Sequence, residues 1–218
     1  MSKMTSDVIF WDVDTQKDFM NPDGKLYVKG AENLKENLAK LTQFANLNKI
    51  RILGTVDYHS ETDPEIEKES PDYKETFPPH CMQDDSGQEK ILQTRSELTN
   101  WVDPITYPDE KIKELVESKG PIIFRKTNFD GFSNPNAVLI IGELKPKKVV
   151  VYGVAIDYCV RTAIEGLMNF GDLEIYLVID AIEGIDEENS RKLIEEWIQQ
   201  GVKTVTTEAV LKGYVHAS

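Results

Sequence analysis

The sequence predicts an α/β fold: a single-domain, doubly wound three-layer sandwich around a six-stranded, mainly parallel sheet. Three observations carry this. Short apolar runs, nearly continuous and rich in β-branched residues, alternate with segments of helical spacing. The chain has 218 residues, enough to bury one substantial core. No internal repeat or long low-complexity tract breaks the alternation.

The elements follow in order. Residues 8–11 read as the first strand. Residues 31–45 carry apolar side chains at 31, 34, 38, 41, 44 and 45, which is helical spacing, and 50–55 form the second strand. Residues 110–118 make a short amphipathic helix ended by Gly120-Pro121, followed by a third strand at 122–124. A helix at 136–141, stopped by Gly142, leads to a β-branched fourth strand at 148–152. A helix at 158–170 ends at Gly171, and 174–179 form the fifth strand. The helix at 186–200 aligns Leu193, Ile194, Trp197 and Ile198 on one stripe; Gly201 ends it before a sixth strand at 202–205. Right-handed crossovers then place helices on both faces of the sheet. The exception is a long loop from 57 to about 108, rich in Glu, Asp, Pro and Ser and without clear periodicity. Loops of that length in a compact domain are commonly functional.

Composition narrows the function classes. Hydrophobic residues make up 40% and charged residues 29%, as in an ordinary globular protein. The net charge of -13 and the lack of a Lys/Arg cluster argue against nucleic acid or an anionic membrane surface as partners. No stretch approaches the roughly 20 apolar residues a membrane span requires, and the first seven residues are too polar for a signal peptide. Two cysteines, Cys81 and Cys159, do not make a disulfide scaffold. A reducing cytoplasm is therefore the expected setting, with thiols available for chemistry.

Ligands of open α/β sheets bind beyond the carboxyl ends of the strands. The first strand is followed by Asp14, Gln16, Asp18 and Phe19; the second by Asp57 and His59; the third by Arg125 and Lys126; the fourth by Gly153, Val154, Ala155 and Cys159. A lone cysteine is ordinarily a small buried hydrophobe. At a strand-to-helix turn, the positive helix end favours the reactive thiolate. Asp14 and Lys126 would flank this thiol if the first, third and fourth strands were neighbours, as proton acceptor and charge stabiliser. Asp57 and His59 lie two residues apart, so an extended chain points both side chains the same way. With His80 they form a donor set suited to a divalent ion with open positions. Cys81 reads as buried and inert, and His216 is assigned no role.

Taken together, these residues resemble the isochorismatase-like cysteine hydrolases. Asp14-Thr15-Gln16-Lys17-Asp18-Phe19 is similar to the family's D-x-Q-x-D-F start, and Gly153 to Val160 to its nucleophile motif. Asp57-Tyr58-His59 and Pro79-His80-Cys81 are similar to the metal motif of the nicotinamidase branch, and Asp180-Ala181 with Gly184-Ile185 to a late strand and turn. The resemblance implies a triad of Asp14, Lys126 and Cys159, and metal ligands Asp57, His59 and His80. It implies a cis peptide at Val154–Ala155 and an oxyanion hole from the N–H groups of Ala155 and Cys159. The implied reaction is hydrolysis of a small-molecule amide, nicotinamide, through a thioester. The implied cofactor is a divalent metal ion, zinc first, with iron or manganese as alternatives. Phe19 matches one wall of the substrate site. Phe77 stands where relatives often carry Trp, a departure that bears on ring specificity. Homo-oligomers are common in the family, and Trp101 is a candidate contact residue.

Two competing readings remain at this level. Hydrolases of another small amide or of a vinyl ether share the fold, though the Asp57, His59 and His80 set weighs against isochorismatase itself. A non-catalytic α/β binding module is the other class. No G-x-G-x-x-G follows the first strand and no G-K-[S/T] loop is present, so a nucleotide-binding version lacks support. The acidic stretch 60–76 and the stretch 88–107 are unassigned.

Overall fold

The computed structural model describes residues 7–215; His216 and the polar start of the chain up to residue 6 lie outside them. In chain order, β1 (Val8–Val13), the one-turn helix α1 (Lys17–Met20), α2 (Lys35–Leu47) and β2 (Arg51–Asp57) come first. Then follow β3 (Asn100–Val102), α3 (Asp109–Glu117), β4 (Ile122–Lys126) and α4 (Pro135–Leu144). The chain continues with β5 (Lys148–Val154), α5 (Arg161–Met168), β6 (Glu174–Glu183), α6 (Glu187–Gln199), β7 (Lys203–Val205) and α7 (Thr207–Leu211).

The sheet has seven strands in the order β3-β4-β2-β1-β5-β6-β7, and every pairing is parallel. The expected six-stranded sheet thus gains β3, a three-residue edge strand inside the long loop. Asn-Trp-Val is too short for an alternation signal, and Trp101 is 41% exposed. The order also corrects the expected neighbours. β2 lies between β1 and β4, so Asp14 and Lys126 do not follow adjacent strands.

Strand alternation builds two cores. Ile9, Trp11 and Val13 of β1 join Val149 and Val151 of β5 on the face covered by α3, α4, α5 and α6. Phe10, Val150, Tyr152 and Val154 turn to the face covered by α2, where Leu38, Leu41 and Ala45 meet them. Both faces are buried, which is why the central strands are mostly apolar, with Asp12 and Thr55 as buried exceptions. Trp11 is held between Phe124 and Phe132, with ring centroids 5.9 and 5.4 Å away.

Local signals set the helix ends. Asn134 caps α4 by accepting from Asn136 N–H, with Pro135 in the first turn. Asp186 caps α6 by accepting from Asn189 N–H at 2.9 Å. The helix expected at 158–170 begins regularly only at Arg161, because residues Ile156–Val160 form a wider π-helical turn. The long loop is stapled by isolated bridges: Gln16 to Lys90, His59 to Met82 and Ile66 to Phe77.

Leu38 of α2 is fully buried among the apolar side chains of its face. Leu38→Ala should cost about 2–5 kcal/mol of stability. Urea denaturation would show it as a lower midpoint with an unchanged slope.

Candidate active site

Asp14, Asp57, Lys126 and Cys159 come from the carboxyl ends of four strands and meet at one point. Asp14 follows β1 in a left-handed turn, with φ of 45°. Its N–H donates to Thr55 O at 3.2 Å, which ties the turn to β2. Lys126 is the last residue of β4, Asp57 the last of β2, and Cys159 lies in the π-helical turn after β5. The Val154–Ala155 peptide just before that turn is cis.

Lys126 is fully buried and bridges the intervening strand with its length. Its Nζ lies 2.9 Å from Asp14 Oδ2 and 3.5 Å from Cys159 Sγ, and donates a short hydrogen bond to Asp57 Oδ1. The carboxylates of Asp14 and Asp57 and the Cys159 sulfur lie within 4.8 Å of one another. Burial disfavours the ammonium, but the two carboxylates outweigh it and hold Lys126 well above its usual pKa. Burial raises the pKa of Asp14 despite the opposing Lys126 charge. It also pushes the Cys159 thiol well above its ordinary value, again against Lys126. Burial thus works against the thiolate that the helix end and the Lys126 charge favour.

Gln16 fixes Asp57 from behind. Its Oε1 accepts from Asp57 N–H and its Nε2 donates to Asp57 O, both at 2.7 Å. The second Asp57 oxygen, Oδ2, turns to a neighbouring cluster. It lies 3.8 Å from His59 Nε2 and 3.7 Å from His80 Nε2, and Glu65 Oε1 is 3.9 and 3.7 Å from the same two nitrogens. Burial works against an ionised Asp57, but Lys126 and both histidines outweigh it and keep the carboxyl well below its usual range.

These four residues fit a divalent cation. Their donor atoms all lie within 4.8 Å of one another, and His59 Nε2, His80 Nε2 and Glu65 Oε2 are buried without a hydrogen-bond partner. Each ring is oriented through its other nitrogen. His80 Nδ1 donates to Pro78 O at 2.8 Å, and His59 Nδ1 faces Asp63 Oδ2 at 3.3 Å. That arrangement leaves both Nε2 lone pairs for a ligand. Burial first, and then the Asp57 charge, raise Glu65 to about 7, the mark of negative charge that a cation would neutralise.

A cavity of about 370 Å³, mouth included, joins the thiol and the cluster. Its lining includes Cys159 and Ala155, the acids and imidazole of Asp57, Glu65 and His80, and the rings of Phe19, Phe77, Phe129 and Tyr158. Phe77 meets Phe129 and Tyr158 edge to face, with centroids 5.7 and 5.5 Å apart. Phe19 and Phe77, named from the sequence, both line it. Arg125 is directed away, lying over Tyr58 and Trp101 and paired with Asp103 at 2.7 Å. Cys81 is buried outside the lining.

Sequence reasoning missed Glu65, Phe129 and Tyr158. Tyr158 adjoins the nucleophile, and Phe129 follows β4 closely, so strand-end counting could have found both. Glu65 sits in an acidic stretch with no periodic signal; the Ile66 to Phe77 bridge places it.

A family model for the isochorismatase domain matches residues 9–209. A nicotinamidase/pyrazinamidase of Mycobacterium tuberculosis is 25% identical over 197 residues, covering 88% of this chain and 95% of that protein. The fold is shared with the pyrazinamidase of Pyrococcus horikoshii, solved in complex with zinc. Identity there is 24%, the TM-score 0.71, and coverage 92% of this chain and 99% of the other. It is also shared with PnC1 of L. infantum in complex with nicotinate, at 20% identity and a TM-score of 0.70, covering 96% and 97% of the two chains.

Glu65→Gln should weaken zinc binding at least about tenfold, or about 1.4 kcal/mol, because the fourth donor loses its charge. Metal content after dialysis against a graded chelator series would read this directly.

Proposed function

The chain belongs to the isochorismatase family, and we propose that it hydrolyses nicotinamide to nicotinate and ammonia through a thioester on Cys159. The observation that carries this reading is the meeting of Lys126 with Asp14 and with Cys159, whose side opens on an aromatic cavity lined also by Asp57, Glu65 and His80 of the four-donor cluster. The names of the relatives support the substrate choice, since two are nicotinamidase or pyrazinamidase enzymes and a third was solved with nicotinate.

The reaction runs as acyl transfer. Asp14 takes the Cys159 proton, and the Lys126 ammonium stabilises the thiolate 3.5 Å away. The sulfur attacks the amide carbon, and the carbonyl electron pair moves to oxygen. The N–H groups of Ala155 and Cys159 hold this oxyanion. Asp14, a better proton donor for its raised pKa, returns the proton to the amide nitrogen. The C–N bond breaks and ammonia leaves. Asp14 then deprotonates a water that attacks the thioester; the C–S bond breaks and the sulfur recovers its proton.

Phe19 and Phe77 flank the ring, and Phe129 and Tyr158 close the apolar wall. A divalent cation on Asp57, His59, Glu65 and His80, zinc first with iron or manganese as alternatives, would supply a Lewis-acid contact for the ring nitrogen. A reducing cytoplasm suits a reactive thiol. Homo-oligomeric assembly through the face that bears Trp101 belongs to the same reading. Among the described residues, no helix is long and apolar enough to cross a membrane.

Incubation with nicotinamide should release ammonia from the zinc-loaded protein and not from Cys159→Ala. Asp14→Asn should lower kcat about 10²–10⁴-fold. Release by Cys159→Ala would remove the nucleophile assignment. No release from the loaded wild type would sink the substrate reading and turn the screen to other small amides and to isochorismate.

A further inference from the structure

The second acid of the D-x-Q-x-D-F segment, Asp18, does no chemistry in this scheme, yet it is 4% exposed and has no cation within ion-pair distance among the described residues. We infer that Asp18 is a positioning residue of the metal centre, acting through the backbone of Cys81. The inference rests on the reading of Asp57, His59, Glu65 and His80 as metal ligands.

The Asp18 carboxylate accepts from two backbone N–H groups, Cys81 at 2.7 Å through Oδ2 and Lys25 at 3.1 Å through Oδ1. Cys81 stands next to His80 and holds φ of 46°, a left-handed conformation uncommon for a residue with a side chain. That turn lets the chain reverse after His80. The same residue serves the other histidine, since His59 N–H donates to Cys81 O at 3.1 Å. One peptide segment therefore joins the backbones of both imidazole ligands, and Asp18 holds it through the Cys81 N–H.

The carboxylate has little room to shift. A methyl group at Gly87 would come within 2.2 Å of Oδ2 and 2.3 Å of Oδ1, so the backbone there lies flush against the acid. Lys25 N–H closes the opposite side. Both hydrogen-bond partners are donors, so the site calls for an acceptor-only group. An amide of the same size must turn its NH₂ toward one of them. A longer acid meets Gly87. Ionised acceptors give the stronger hydrogen bonds of this kind, which suits a turn that a non-glycine residue would otherwise leave.

Metal-stripped wild type, Asp18→Asn and Gly87→Ala are titrated with zinc against a chromophoric chelator, with thermal unfolding of the stripped and loaded forms alongside. Gly87→Ala displaces the carboxylate without changing its charge and carries the test if Asp18→Asn does not fold. The expected result is zinc binding about 10–100-fold weaker in each folded variant, with a smaller metal-induced rise in Tm than in the wild type. A merely structural role would lower the Tm of stripped and loaded forms equally and leave zinc affinity unchanged. Affinity within twofold of wild type in either folded variant overturns the inference. Failure of the wild type itself to bind zinc overturns the metal reading beneath it.

Discussion

A single buried ammonium, Lys126, organises the cluster of charged and thiol side chains at the carboxyl ends of the strands. Isolated, a charge this deep would be severely destabilising. Asp14 and Asp57 make it tolerable, and its charge in turn opposes the burial that disfavours both carboxylates. Removing Lys126 leaves two buried carboxylates side by side without the cation between them. The group also joins two functions through one side chain. Asp57 gives Oδ1 to Lys126 and turns Oδ2 to the histidines, so the Asp14–Lys126–Cys159 group and the candidate metal cluster share a carboxylate.

The sheet order explains why the partners meet here. Running outward from the centre, the chain places β2, β4 and β3 on one side of β1, and β5, β6 and β7 on the other. The connections from β1 and β5 therefore part in opposite directions and leave a crevice at their carboxyl ends. Asp14 leaves β1 on one side of it and Cys159 follows β5 on the other. Lys126 is the only one of the three that must cross a strand, and lysine has the length to do so.

Residues at strand ends were legible in the sequence because uninterrupted apolar runs mark where each strand stops. Asp14, Asp57, Lys126 and Cys159 all follow from that counting, and His59 follows from its spacing to Asp57. Strand order was not legible, since parallel pairing depends on crossovers that leave no local trace. Nor was β3, a short edge strand with one residue half exposed. Glu65 was hidden for a related reason. Its position depends on Glu67 N–H donating to Phe77 O and Phe77 N–H donating to Glu65 O, and such rungs have no periodic signature. The burial of Cys159 also left no trace in the sequence, which shows the turn before a helix but not its depth.

That rung has a consequence for anyone who would redesign the specificity. Glu65 and Phe77 are joined backbone to backbone, so a donor of the metal cluster and a wall of the cavity are parts of one rigid unit. The Phe77 ring also stands edge to face with His80 at 6.2 Å, so a change of that wall borders directly on the donor set. Phe129 reaches the same cavity from the connection after β4, outside that rung. It is the separable handle, the wall on which substrate range can be altered while the donor set is left alone.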